Sequence, residues 1–326
     1  MRELLKHTCF LFLMVSFAAL PGASFSNEIN LNGEWKFKIG DNTDWAAPGF
    51  NDGGWSTVKA PSPWENQGFR GYDGFAWYRK TITIDKAFQD QDLILQLGYI
   101  DDIDEVFLNG QKIGQSGSFP PSYSTAYNAL RKYSIPRKLL HFGQENVIAI
   151  RVYDSQLEGG IVGGNLKIYS VGKSLKLDVD LSGNWMWNKG MESNASQARP
   201  ILVPGMWENQ GLDYDGYAVY YTKFNLPKQL VNERLVLLAG RIDDVDRVYI
   251  NGQYVGSTGD YINRICGENY REFRNYFISP GMLKAGENTI EVKVYDEYGD
   301  GGIVQGTIGI ITQQKFREFW KSKRKN

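Results

Sequence analysis

The sequence predicts an all-β protein: two tandem sandwiches of jelly-roll type followed by a short C-terminal helix. Three observations carry that expectation. The first is an internal repeat, in which Gly98-Tyr-Ile-Asp-Asp-Ile-Asp-Glu-Val-Phe-Leu-Asn-Gly returns as Gly240-Arg-Ile-Asp-Asp-Val-Asp-Arg-Val-Tyr-Ile-Asn-Gly. The copies keep a nearly constant offset, so Asn146 answers to Asn288, Asp154 to Asp296 and Gly159-Gly160-Ile161 to Gly301-Gly302-Ile303. The second is period-two alternation. Ile290, Val292 and Val294 point one way while Glu291, Lys293 and Tyr295 point the other, as Ile148, Ile150 and Val152 do in the first copy. The third is Asn109-Gly110 and Asn251-Gly252 between apolar runs, the dipeptide of tight hairpins, because both central residues of that turn need positive φ.

Taken in order, residues 1–26 are read as a signal peptide. Arg2 and Lys6 begin it, Cys9 to Leu20 is apolar apart from Ser16, and Pro21-Gly22-Ala23-Ser24 offers small residues for cleavage. That apolar run is shorter than the roughly twenty residues a spanning helix needs, so no transmembrane segment is expected. The first domain is placed at 27–171, a connector at 172–176 and the second domain at 177–312. Residues 313–326 form a basic tail or helix, with Phe316, Phe319 and Trp320 at helical spacing among lysines and arginines. Such a helix either docks its aromatic stripe on the sandwich or lies on anionic lipid.

Composition removes several kinds of chemistry. Cleavage of a signal peptide would leave one cysteine, Cys266, and one histidine, His141, too few for an intrachain disulfide or an ordinary zinc site. His141 stands beside a turn and is expected to be a surface loop residue. The formal net charge of −1 gives no electrostatic reason to expect nucleic acid.

Each copy opens with a Trp motif, Leu31-Asn-Gly-Glu-Trp35 and Leu181-Ser-Gly-Asn-Trp185. Pro61-Ser-Pro-Trp64-Glu65-Asn-Gln-Gly68 and Tyr72-Asp73-Gly then match Pro204-Gly-Met-Trp207-Glu208-Asn-Gln-Gly211 and Tyr214-Asp215-Gly. In this order, with the Asn-Gly and Gly-x-Asn motifs, the chain resembles the sugar-binding, galactose-binding-like jelly roll of family 2 glycoside hydrolases, the β-galactosidases and β-glucuronidases. The Ile-Asp-Asp-x-Asp variant and the Gly-Gly-Ile ending also resemble the related domains of sialate O-acetylesterases. The resemblance implies carbohydrate as the partner. In β-galactosidases this jelly roll lends an Asn to the sugar site, but the matching places hold Lys80 and Thr222, so that role does not transfer.

The catalytic carboxylates of such hydrolases belong to a (β/α)8 barrel, and the sequence shows neither its strand-helix alternation nor a Gly-x-Ser-x-Gly elbow. Glu65 with Asp73, and Glu208 with Asp215, are the carboxylate pairs a glycosidase would want about 5 to 9 Å apart. Because both copies carry them, they are read as structural, accepting hydrogen bonds from turn backbone and from the indoles of Trp64 and Trp207. No catalytic residue is assigned. The expected function is a secreted or periplasmic, non-catalytic carbohydrate-binding or accessory protein. The alternatives are a glycosidase or sugar O-acetylesterase component, with its catalytic domain missing or on a separate chain, and a structural cell-surface module.

In an unbroken strand Asp102 and Asp104 would share the buried face with Ile100 and Val106, and bare carboxylates there cost several kcal/mol. Arg131 is the expected bidentate partner, as Arg274 is for Asp244 and Asp246. Calcium at Asp101, Asp102 and Asp104 is the alternative, and otherwise no cofactor or metal is expected. Sugar contacts are sought in loops that differ between copies. Phe119, Tyr123 and Tyr127 in the first, with Tyr261, Asn263, Arg264 and Tyr270 in the second, offer rings for C–H faces and polar groups for hydroxyls; the equal alternative is that these aromatics simply pack the loops onto the sandwich.

Overall fold

The computed structural model describes residues 27–121 and 123–323; the expected signal peptide lies outside them. The first domain contains β1 (Glu28–Asn30), β2 (Gly33–Ile39), β3 (Ser56–Ala60), β4 (Gly74–Thr83) and β5 (Gln91–Asp101). It continues with β6 (Ile103–Leu108), β7 (Gln111–Ser116), β8 (Leu130–Ser134), β9 (Glu145–Asp154) and β10 (Gly160–Lys173). The second has β11 (Val179–Asp180), β12 (Gly183–Lys189), β13 (Arg199–Val203), β14 (Gly216–Leu226) and β15 (Leu235–Asp243). Then come β16 (Val245–Ile250), β17 (Gln253–Thr258), β18 (Phe273–Ile278), β19 (Gly286–Asp296), β20 (Gly302–Thr312) and the helix α1 (Gln313–Lys323).

Each domain stacks a four-stranded sheet on a six-stranded one. The orders are β1-β10-β5-β8 with β3-β2-β4-β9-β6-β7, and β11-β20-β15-β18 with β13-β12-β14-β19-β16-β17. The strands named in these ladders pair antiparallel, and the alternation read from the sequence sets the faces. Ile148, Ile150 and Val152 bury toward Trp35, Phe37 and Leu95, and Ile290, Val292 and Val294 toward Trp185 and Leu237. Gly172 and Lys173, expected in the connector, instead extend β10, opposite Asp92 and Gln91.

Most residues shared by the two copies hold the sandwich together. Asn109 and Gly110 have φ of 51° and 80°, and Asn251 and Gly252 have 49° and 77°, as the tight hairpin requires. The turn asparagines do more than turn. Asn109 donates to Asn146 at 2.9 Å and accepts from the Val147 amide at 2.8 Å, and Asn251 treats Asn288 and Thr289 likewise. The Gly-Gly pairs answer to the tryptophans. A Cβ on Gly159 would stand 2.2 Å from the Trp64 ring, and one on Gly301 would stand 1.9 Å from that of Trp207. The helix α1 rests Phe316 beside Val236, Leu238 and Ile311 and leaves Trp320 exposed.

Candidate carbohydrate site and acidic pockets

In the second domain, β12, β14, β16 and β19 turn a second face away from the core. Met186, Tyr221, Tyr249, Glu291 and Lys293 project there and line an open groove of about 960 Å³. Lys293 sits over the Tyr249 ring at 5.6 Å, and its ammonium reaches Glu192 at 2.7 Å. Ser193 donates to Glu291 at 2.7 Å. The loop after β12 is held aside by Asn188, whose amide donates to the Glu192 carbonyl and whose oxygen accepts from the Asn194 amide. Half-buried tyrosines flanked by a lysine and a carboxylate suit a sugar, one for its C–H face and the other for its hydroxyls.

The loop candidates fare unequally. Tyr127 is exposed, and Tyr123 is exposed with its hydroxyl 3.0 Å from that of Ser155. Tyr270 lies at the surface with Arg271 over its ring. Phe119 is tied down, stacked on Phe75 at 5.6 Å with the Arg151 guanidinium over it. Tyr261 must be withdrawn from the sugar platform, because it is 2% exposed and packs with Val245 and Cys266. Asn263 bonds Asp260 within its own turn, and Arg264 lies over Tyr217 and Tyr295. The groove residues were missed because they sit on strands, outward at every second position, rather than in loops. Their signal was present in the outward Glu291 and Lys293.

The Trp-Glu motifs are tethers. Glu65 accepts the Gly159 amide at 3.1 Å and Glu208 the Gly301 amide at 2.9 Å, so each carboxylate ties its loop to the distant Gly-Gly segment rather than to its own turn. The Trp64 indole donates to the Tyr72 carbonyl, where a carboxylate had been expected. Asp73 is exposed, and Asp215 accepts from the Gly299 amide at 3.2 Å.

The acidic segment breaks where the chain passes from one sheet to the other. Arg131 pairs with Asp104 through Nε at 2.6 Å, both side chains being fully buried, and Tyr133 donates to the other oxygen. The remaining guanidinium nitrogens go to the carbonyls of Asp102, Ala126 and Ala129, so the pairing is single rather than bidentate. Arg274 and Asp246 repeat it at 2.8 Å. Asp102 does not use the arginine side chain: its carboxylate accepts from the Thr125 hydroxyl and from the amide and hydroxyl of Ser155. Burial pushes Asp102 up, but those donors and Tyr123 outweigh it and hold the carboxyl below its ordinary value.

With Asp104 committed to Arg131, the alternative calcium set of Asp101, Asp102 and Asp104 does not assemble. The carboxylates that do converge are Asp101, Asp102 and Asp154, and in the second domain Asp243, Asp244 and Asp296, with one oxygen of each within 4.8 Å of the others. Burial, then the neighbouring acids, pushes Asp154 up to about 7 and Asp296 up to about 8. Glu208, also raised chiefly by burial, reaches about 8.

With this geometry in place, residues 40–158 match the family described as the β-galactosidase second all-β domain. That stretch is similar to an all-β domain of the family 2 glycoside hydrolase type. The chain is 28% identical over 139 residues to β-galactosidase BoGH2A of Bacteroides ovatus, an alignment covering 39% of this chain and 15% of that enzyme. Among solved structures, a β-glucuronidase of Bacteroides uniformis superposes with a TM-score of 0.38 at 16% identity, over 82% of this chain and 28% of that one. A family 2 member from Bacteroides cellulosilyticus gives 0.39 at 15% identity, over 83% and 32%. The β-galactosidase-type domain thus accounts for a small part of its enzyme relative. No helix among the described residues is long and apolar enough to cross a membrane.

Proposed function

We propose that this protein is a secreted carbohydrate-binding accessory protein without catalysis of its own, and that the groove over Tyr221 and Tyr249 holds the sugar. The observation that carries the reading is that groove: an open, tyrosine-lined sheet face with Lys293 and Glu291 at its floor, in a chain bearing a β-galactosidase-type domain. Export rests on the basic start and short apolar run of residues 1–26. The absence of catalysis rests on the tethering role of the shared carboxylates: Glu65 and Glu208 each spend an oxygen on a backbone amide.

A glycan array followed by calorimetry on the exported chain tests binding. Tyr249→Ala should weaken the best glycan about tenfold, or about 1.4 kcal/mol, while leaving thermal stability in place. Equal affinity in Tyr249→Ala and Tyr221→Ala would move the site to the loops of Tyr127 and Tyr270. Chromogenic β-galactosides, β-glucuronides and acetyl esters should not turn over. Turnover that disappears in Glu65→Gln or Glu208→Gln would make the protein an enzyme. Amino-terminal sequencing of the exported chain should begin near Ser24 to Asn27.

A further inference from the structure

We propose that Asp243, Asp244 and Asp296 form a calcium site at the sheet crossover of the second domain. One oxygen of each lies within 4.8 Å of the others, close enough for one cation to touch all three. Asp296 supplies the independent sign. It is 0% exposed, and neither of its carboxylate oxygens has a hydrogen-bond partner. A buried carboxylate with no donor costs several kcal/mol unless something positive or a proton meets it. Among the described residues no basic side chain pairs with it: the nearby Arg274 gives its nitrogens to Asp246 and to the carbonyls of Ile242, Asp244, Asn269 and Glu272.

The matching pocket of the first domain is better supplied with donors, only one Asp154 oxygen being left without a partner. There Thr125 and Ser155 give three hydrogen bonds to Asp102, and the Gln156 amide gives one to Asp154. In the second domain the counterpart of Ser155 is Glu297, which offers Asp244 only its amide and brings another acid. Donors have been exchanged for charge. The ligand set is all oxygen, which selects a hard cation, and three carboxylates can supply up to six contacts to a flexible calcium shell. Asp243, half-buried, is the most exposed of the three.

The test uses the full chain, stripped with EDTA, dialysed, and titrated with calcium chloride in calorimetry and thermal melts. One ion should bind with a Kd of about 10⁻³ M or tighter and raise Tm. Asp296→Asn should weaken that affinity at least about tenfold and abolish the rise in Tm. Asp154→Asn, the same change in the first domain, should leave both intact. Should Asp296→Asn fail to fold, Asp243→Asn is read in the same way by radiocalcium dialysis. No uptake at millimolar calcium overturns the site, as does a response that survives in Asp296→Asn and Asp243→Asn or is lost in Asp154→Asn. Metal-free melts that move with pH and never with calcium would assign the pocket to a shared proton and end the proposal.

Discussion

The outer faces of the two six-stranded sheets hold the same place in their domains and are finished in opposite ways. In the first domain Trp77, on β4 opposite Arg151, stacks on Phe107 at 5.7 Å and is covered by Trp45 and Trp55 from the segment between β2 and β3. Arg79 pins that cover through Asp52 at 2.9 Å and the carbonyls of Trp45 and Ala47. In the second domain the position of Trp77 is Val219, opposite Lys293, and that of Phe107 is Tyr249, opposite Glu291. The segment between β12 and β13 carries no tryptophan and is polar. One face has become a second small core and the other a groove. A shared fold thus leaves function to the positions that the core does not use.

The comparison breaks first if the two halves are not equivalent inside. Arg131→Ala and Arg274→Ala each strand a fully buried aspartate, and each should cost about 3–5 kcal/mol in chemical denaturation. Similar losses in both would support one architecture used twice. A large loss in one and none in the other would show that the matched ion pairs bear unequal loads.

The cover on the first domain is the next test. Trp45→Ala removes a side chain that is 9% exposed and touches both Trp55 and Trp77, and should cost about 3 kcal/mol. No change in stability, with unchanged tryptophan fluorescence, would mean that the cover is ornamental and that the closed and open faces differ little in energy.

Much of this was legible in the sequence and some was not, for physical reasons. Alternation gave the faces of β9 and β19 because burial on one side is strongly selected by the pleat. Asn-Gly gave the hairpins because positive φ is a local demand. The partner of Asp104 was legible too, since a buried acid needs a cation and Arg131 recurs as Arg274. The single, Nε-only geometry was not, because it depends on three carbonyls brought in by the fold. Whether Tyr261 meets a sugar or anchors its loop was not legible, because an aromatic in a polar loop suits either task, and here it packs on Val245. The acidic pocket needed Asp154 and Asp296, which lie some fifty residues from the Asp-Asp pair and meet it only after β9 and β19 pair with their neighbours.

The smallest expected effect compares the ion pairs at the rims of the two faces. In the first domain Asp41 takes two nitrogens of Arg151 and the indole of Trp77. Burial pushes its carboxyl up, but those three donors and the Arg151 charge outweigh it and hold it below 3.8. A carboxyl depressed on folding lends stability above its unfolded value, and that stability drains away as pH falls through the lower folded one. Asp41→Asn should therefore cost up to about 1 kcal/mol at neutral pH and nothing in strong acid, with both partners partly exposed. In the second domain the matching cation, Lys293, reaches Glu192, which is 83% exposed. Glu192→Gln should leave stability unchanged at any pH, because solvent screens that pair. A pH-dependent loss in Glu192→Gln equal to that in Asp41→Asn would mean that the loop beside the groove is locked as firmly as the tryptophan cover, and the groove would no longer be the open face of the pair.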